Sequence, residues 1–424
     1  MAPQKRLTLF DCVAIGINGI IGSGIFLLPR WVATGALAYG ALAFLACGAL
    51  CMLVAFCYAE VGGMVERSGG TYVYAREAFG EGIGFGVGWL VLVSAVVGYA
   101  SVARGLGEQI GRMAGLPDWS APVLAAALIL LLGLANWRGV KTGARTSDIL
   151  TVLKAGSLVL FAVVGLFFFK WETVHALGTP TPGGFAAGTF SALFALSGFE
   201  FVAVVAGESE NPRRNIPLAI VGSLLGAMIL YAVIQLVVSG VLPSVRSTDA
   251  ALVETARSFG GSGAAGAINA VSIISMIGFC SGSALVGPQL VASLAEDGVL
   301  PRIVAHRHPT RATPDIAIGL VTLTAMASVA LLDFKALADL TIVTLFAQYV
   351  PTCLAVIVFR RWKPEAKRQY RLPLGNTIPL IALALLGVLV AKIEWASLEV
   401  AAVILAVGIG VLFINRALAR RASP

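Results

Sequence analysis

The sequence predicts an all-α membrane protein of twelve transmembrane helices, built as a five-plus-five inverted repeat in which helices 1 and 6 are broken. Three observations carry that prediction. The 424 residues are 58% hydrophobic and only 12% charged, with a mean hydropathy of +0.90, whereas soluble domains carry about 25% charged residues. Apolar stretches of roughly 20 residues, long enough to cross a bilayer, recur from end to end. Two of them are interrupted at glycine, and the interruptions lie five spans apart.

The spans fall at about 9–34, 39–64, 83–112, 121–138, 147–169, 187–208, 216–241, 265–294, 314–332, 337–360, 375–391 and 397–415. Short polar loops join them and leave no room for a separate soluble domain. Cytoplasmic loops are enriched in Lys and Arg. With the N-terminus inside, the inner segments carry 21 of the 30 such residues and the outer segments 7. Both termini are therefore expected in the cytoplasm of a multi-pass protein of the cell (cytoplasmic) membrane. The opening "MAPQKRLTLF" has neither the apolar core nor the cleavage site of a signal peptide. A net charge of +8 scattered over short loops argues against nucleic acid as a partner. The cysteines Cys12, Cys47, Cys51, Cys57, Cys280 and Cys353 lie in or beside apolar segments without a CxxC, and read as packing residues.

Span one contains "GIIGSGIFLLP" (19–29), with Gly19, Gly22 and Gly24 inside six residues and Ser23 between the last two. Each bare backbone group in lipid costs several kcal/mol, so a weak point here needs a reason. Span six contains "ALSGFE" (195–200). Close helix packing explains one glycine cluster. Two clusters at matching positions, one with a serine and one with a carboxylate, predict a transporter of the inverted-repeat type with its site near mid-membrane. Five spans is an odd number, so the second copy runs through the membrane upside down. Residues 1–361 then form the transport core, helices 1–5 and 6–10, and residues 362–424 hold helices 11–12 and a cytoplasmic tail.

Four stretches carry a resemblance: "GSGIFLLP" in span one, "ERSGGTYVYAREAFG" (66–80), "GFEFVAVVAGESENPRRNIPLAI" (198–220) and "AEDGVLPRI" (295–303). In this order and combination the chain resembles the amino acid–polyamine–organocation superfamily and its bacterial amino acid permeases, over at least spans one to ten. The resemblance implies the same inverted-repeat fold and a sodium-independent secondary transporter of amino acids. Such a protein works by alternating access, as a proton-coupled symporter or an exchanger.

The resemblance places the substrate against Ile20, Ile21, Gly22, Ser23 and Gly24 in the first break, Phe194, Ser197 and Gly198 in the second, and Ser283 in span eight. The half-helix starting at Gly24 offers a positive N-terminal end to a carboxylate. The half-helix ending near Phe194–Ser197 offers free carbonyls to an ammonium. Ser23 and Gly24 would hold the carboxylate, and the carbonyls of Ile20, Phe194 and Ser197 the amine. Glycine is expected there because the backbone must approach the ligand closely. Phe194 matches the family's aromatic gate, although an aromatic at a helix break also serves simply as packing. Ser283 stands where arginine/agmatine antiporters carry a large aromatic, which removes a platform for stacking a cation. With "CSGSALVG" (280–287) around it, that departure favours neutral substrates.

Lys154 and Glu200 are the candidates for coupling. An intramembrane Lys costs about 2.5–3.5 kcal/mol on insertion scales and marks function by default; the alternative is snorkelling to the nearby membrane edge. By resemblance, the Lys154 ammonium lies between the first half of span one and span eight, where sodium-coupled relatives hold a second sodium ion. Glu200 either takes up protons or hydrogen-bonds the unwound segment, and both readings stand. Glu60, nearer a cytoplasmic end, reads as structural.

Other chemistry is excluded on residue type. His175, His306 and His308 lie in loops, so neither a metal site nor a catalytic triad is expected; no cofactor is implied, and no nucleophile–base pair suggests an enzyme. There is no GxxxxGK[ST] phosphate loop. The outer segment "MAGLPDWSA" lacks a cysteine, which argues against a disulfide-linked heavy-chain partner. The expected partners are an amino acid substrate, the lipid bilayer and protons. The rival functions are a membrane sensor that binds an amino acid without moving it, and a transporter of cationic amino acids or polyamines.

Overall fold

The computed structural model describes residues 7–64, 69–139, 144–204, 206–298, 300–309, 311, 313–365, 368, 370–391, 393 and 395–422. Of the motif residues above, Glu66, Arg67, Ser68, Val205 and Val299 lie outside the described residues. The chain is almost wholly helical, and its β pairing among the described residues is one isolated bridge, Leu7 to Ser209. The helices begin with α1 (Leu9–Ile20), α2 (Gly24–Leu27), α3 (Pro29–Ala36), α4 (Gly40–Gly62), α5 (Thr71–Phe79) and α6 (Glu81–Ala114). There follow α7 (Ser120–Trp137), α8 (Ala144–Leu166), α9 (Trp171–Ala176), α10 (Pro182–Leu196), α11 (Phe201–Val204) and α12 (Pro212–Val241). The last are α13 (Ala251–Glu296), α14 (Asp315–Leu331), α15 (Phe334–Trp362), α16 (Thr377–Val390) and α17 (Trp395–Ala422).

Among the described residues, eight helical stretches are long and apolar enough to cross a membrane. Shorter apolar helices over Thr151–Leu166, Asp315–Leu331, Thr377–Val390 and Ser397–Val411 fall where spans five, nine, eleven and twelve were expected. The helix containing span eight starts earlier than expected, at Ala251, and is kinked at Gly261, where φ is 65°.

Local chemistry explains where the first helix begins and ends. Thr8 and Asp11 form a capping box: the Thr8 amide donates to Asp11 Oδ2 (2.8 Å) and the Asp11 amide to Thr8 Oγ1 (3.3 Å). The last regular bond of α1 runs from the Ile21 amide to Ile17 O, and the Gly22 amide then folds back onto Ile20 O (2.9 Å). Helix resumes at Gly24, and Leu28, in the right-handed helical region, carries α2 into α3 with Pro29 at its first position. The second break is sharper. Ser197 is extended and Gly198 has φ 110°, a region that side-chain-bearing residues avoid.

The chain divides into two compact units. The first comprises Met1–Gly70, Gly143–Gly278 and Val356–Lys392. Within it α12 packs on α4, α1 and α8, α10 packs on α3 and α4, and α16 lies on α4. Aromatic edges seal the interior: Phe44 meets Tyr231 edge-on with ring centres 5.9 Å apart, and Tyr58 meets Phe199 in the same way. Glu60 is the hub of a buried charge cluster in this unit. It receives two hydrogen bonds from Arg360 and one from the Leu372 amide (2.8 Å), with Arg368 at 3.5 Å.

The second unit comprises Thr71–Thr142, Phe279–Ala355 and Ile393–Pro424. Here α6 packs against α5, α7, α14 and α17. Pro288 has no N–H to close on Ala284 O, and the Asn136 side chain supplies the missing donor at 2.6 Å. Two family motifs meet in this unit. Tyr72 OH donates to Asp297 Oδ2 (3.0 Å), and Arg76 bonds Tyr72 OH (3.2 Å) and Asp297 (3.2 Å). Burial, reinforced by Asp297, pushes the Tyr72 phenol up to about 12, so it stays protonated and donates.

Candidate functional site

A helix that stops in mid-span leaves its last carbonyls without amide partners. In α1 these carbonyls are claimed by side chains from three other helices of the first unit. Lys154, on α8, donates to Asn18 O (3.2 Å), Asn18 Oδ1 and Ile21 O (2.7 Å). Ser275, on α13, lies 2.9 Å from Ile21 O and 3.1 Å from Gly22 O. Tyr231, on α12, donates to Ile20 O (3.2 Å). The break is thus filled with protein donors.

Lys154 is 1% exposed. Its ammonium points into the break, and the snorkelling alternative is set aside. A cation at the C-terminal end of a helix is also favoured by the helix dipole.

The two breaks touch each other. A Cβ on Gly19 would lie 2.6 Å from Gly198 O, and one on Gly198 would collide with Gly19 O. Glu200 organises the second break: its carboxylate, 6% exposed, accepts the Gly198 amide at 2.9 Å. Of the two readings left open for Glu200, hydrogen bonding to the unwound segment is the geometry observed. Ser197 Oγ donates to Phe194 O at 2.8 Å. Of the three carbonyls expected to face an ammonium, Ile20 O and Phe194 O already accept a hydroxyl.

Ser23 is fully buried at the start of α2, and its Oγ has no hydrogen-bond partner among the described residues. Ile20, Ile21, Gly22 and Gly24 are buried next to it in the chain, and Phe194, on α10, is buried in the same unit. Ser283 belongs to the second unit, half-buried on α13.

Helix packing also requires glycine at position 24. A Cβ there would lie 2.6 Å from Ala195 Cα, so the close approach is between α2 and α10. Asn18, Tyr231 and Ser275 were not singled out from sequence. Asn18 is a lone polar residue in an apolar run, which was the signal available for it, whereas Ser275 follows Asn269 and Ser272 at three-residue spacing. The Glu60 cluster agrees with the structural role read for that residue.

A multi-pass helical membrane protein with two discontinuous helices meeting at glycines defines a class, the carriers built around broken helices. Residues 7–415 match the amino acid permease family, and the chain belongs to it, within the amino acid–polyamine–organocation superfamily. It is 28% identical to the methylthioribose transporter of Bacillus subtilis, over 89% of this chain and 86% of that protein. It is 27% identical to the branched-chain amino acid permease BcaP of the same species, over 97% of this chain and 93% of the relative. It is 32% identical to the human cationic amino acid transporter 4, over 86% of this chain and 61% of that protein. These relatives are named as transporters.

Proposed function

We propose that this protein is a sodium-independent secondary transporter of neutral amino acids, working by alternating access in the cytoplasmic membrane with both termini inside. In this reading the chain spans the bilayer twelve times, and residues 1–361 form the five-plus-five inverted repeat. The observation that carries it is the junction of the two breaks at Gly19 and Gly198, with a buried Ser23 hydroxyl four residues after Gly19 that has no partner among the described residues. That hydroxyl and the start of α2 suit a substrate carboxylate, because positive helix ends and unpaired donors stabilise an anion. The amine is read by Ser197 O and by the remaining lone pairs of Ile20 O and Phe194 O. Phe194 covers the bound substrate.

Sodium independence rests on Lys154. Its ammonium occupies the oxygens of the first break, and a second cation there would be repelled strongly in a low-dielectric site. The name of the branched-chain relative supports a neutral substrate, and that of the human relative keeps cationic amino acids as the second reading.

The test is radiolabelled uptake into proteoliposomes, with leucine, serine, lysine and methylthioribose as competitors, in sodium or choline buffer. We expect neutral amino acids to compete best, their methyl esters poorly, and choline to leave uptake unchanged. A strict sodium requirement, or esters competing as well as free acids, sinks the reading. Binding without uptake turns it into a sensor.

A further inference from the structure

A buried ammonium needs three acceptors, and the Lys154 side chain finds them within one short stretch of α1. Two are backbone carbonyls, Asn18 O at 3.2 Å and Ile21 O at 2.7 Å. The third is the Asn18 side-chain oxygen. All three are neutral, and no carboxylate lies within ion-pair distance of Lys154 among the described residues. The two backbone acceptors exist because α1 is broken: with the Gly22 amide turned onto Ile20 O, Asn18 O has no helical partner. The side-chain acceptor exists only because residue 18 is asparagine. Ile21 O is shared with Ser275, so the same ammonium ties α1 to α8 beside the contact with α13.

We infer that Asn18 is a positioning residue for transport, acting through Lys154. Its amide oxygen fixes the ammonium on the break and so ties α8 to the end of α1. Neither the family motifs nor the substrate contacts assign a role to position 18. Without that oxygen one ammonium proton, 1% exposed with the rest of its side chain, has no acceptor. Leaving a buried charged donor unsatisfied is costly, and the ammonium would no longer be held in a single place. Substrate contacts at Ser23 and Gly24 are made by other atoms, so the loss falls on turnover and spares affinity. This inference rests on the proposed transport function.

The experiment compares Asn18→Leu, which keeps the size and removes the oxygen, with Asn18→Asp, which keeps an oxygen at the same reach. Both are made in wild-type and Lys154→Ala backgrounds. Uptake in proteoliposomes should show Vmax for Asn18→Leu down roughly tenfold, from one unsatisfied buried donor, with KM within about twofold. Asn18→Asp should recover most of the turnover. In the Lys154→Ala background Asn18→Leu should add little further loss, because residues acting as a unit are not additive. The same cycle is read as melting temperature of the purified protein, which needs no transport. Coupled shifts there alongside absent wild-type uptake reject the transport reading while keeping the Asn18–Lys154 link. Additive losses, a wild-type Vmax for Asn18→Leu, or equal damage from Leu and Asp overturn the inference.

Discussion

At the scale of single residues, glycines and buried hydroxyls decide what the breaks can do. Gly198 combines a φ of 110° with a contact that leaves no room for a side chain. Gly198→Ala should therefore cost about 1–3 kcal/mol from backbone strain alone, and more from the collision with Gly19 O. A lowered melting temperature of the purified variant, with poor recovery from the membrane, is the expected result; a normal melt would mean that the second break relaxes freely. Gly24→Val meets Ala195 in the same way, so its failure would report helix packing as much as ligand binding. Phe194 separates the two roles better. Phe194→Ala should reduce uptake more than Phe194→Trp and widen side-chain tolerance, whereas equal near-normal uptake by both returns Phe194 to packing. The break positions were legible because glycine clusters in an apolar span carry a backbone penalty that only a cavity or protein donors offset. The partners of those breaks were not. Tyr231 and Ser275 lie about 210 and 250 residues from the carbonyls they satisfy, and nothing local in a sequence announces such a pairing.

Elements are held to one another by polar residues that hydropathy treats as noise. Glu60 has 1% of its side chain exposed and binds Arg360, Arg368 and the Leu372 amide together. Arg360 also donates to Leu372 O (3.2 Å), and Arg368 donates to Phe359 O and Lys363 O, carbonyls at the end of α15. One carboxylate on α4 thereby fastens the end of α15 and the chain leading into α16. Removing a single partner from a buried ion pair costs about 3–5 kcal/mol, because it strands the charges left behind. Glu60→Ala should lower the melting temperature far more than Glu210→Ala, an exposed carboxylate. Comparable melts for the two would deny the clamp. Glu60 was readable as structural from its place near a span end. Its partners were hidden, because Arg360 and Arg368 counted in the sequence only as positive-inside loop charges. Asn136 is a similar case: its repair of the gap at Pro288 depends on two helices far apart in the chain.

Over the whole molecule, the membrane class followed from bulk features and the family from four short motifs, whereas the proposed sodium independence turns on one buried cation. Hydropathy and loop charge are averages over many residues, so they are read without knowing where any one side chain points. The fate of Lys154 depended on which way a single side chain points, and a Lys about seven residues inside a span can reach either the membrane edge or the interior. Its three bonds to Asn18 and Ile21 suggest two separable contributions, hydrogen-bond donation and positive charge. Lys154→Ala removes both and leaves three acceptors facing a hole. Lys154→Gln restores amide donors without the charge. If donation holds the break and charge excludes sodium, the melting temperatures should rank Lys above Gln above Ala, and uptake in choline should follow the same order. Adding sodium should leave the wild type unchanged and raise uptake only where the ammonium is gone. Proteoliposome uptake by the three proteins, each in sodium and in choline, measures both parts. Identical behaviour of Gln and Ala would remove the donor role, and a sodium response in the wild type would remove the charge role.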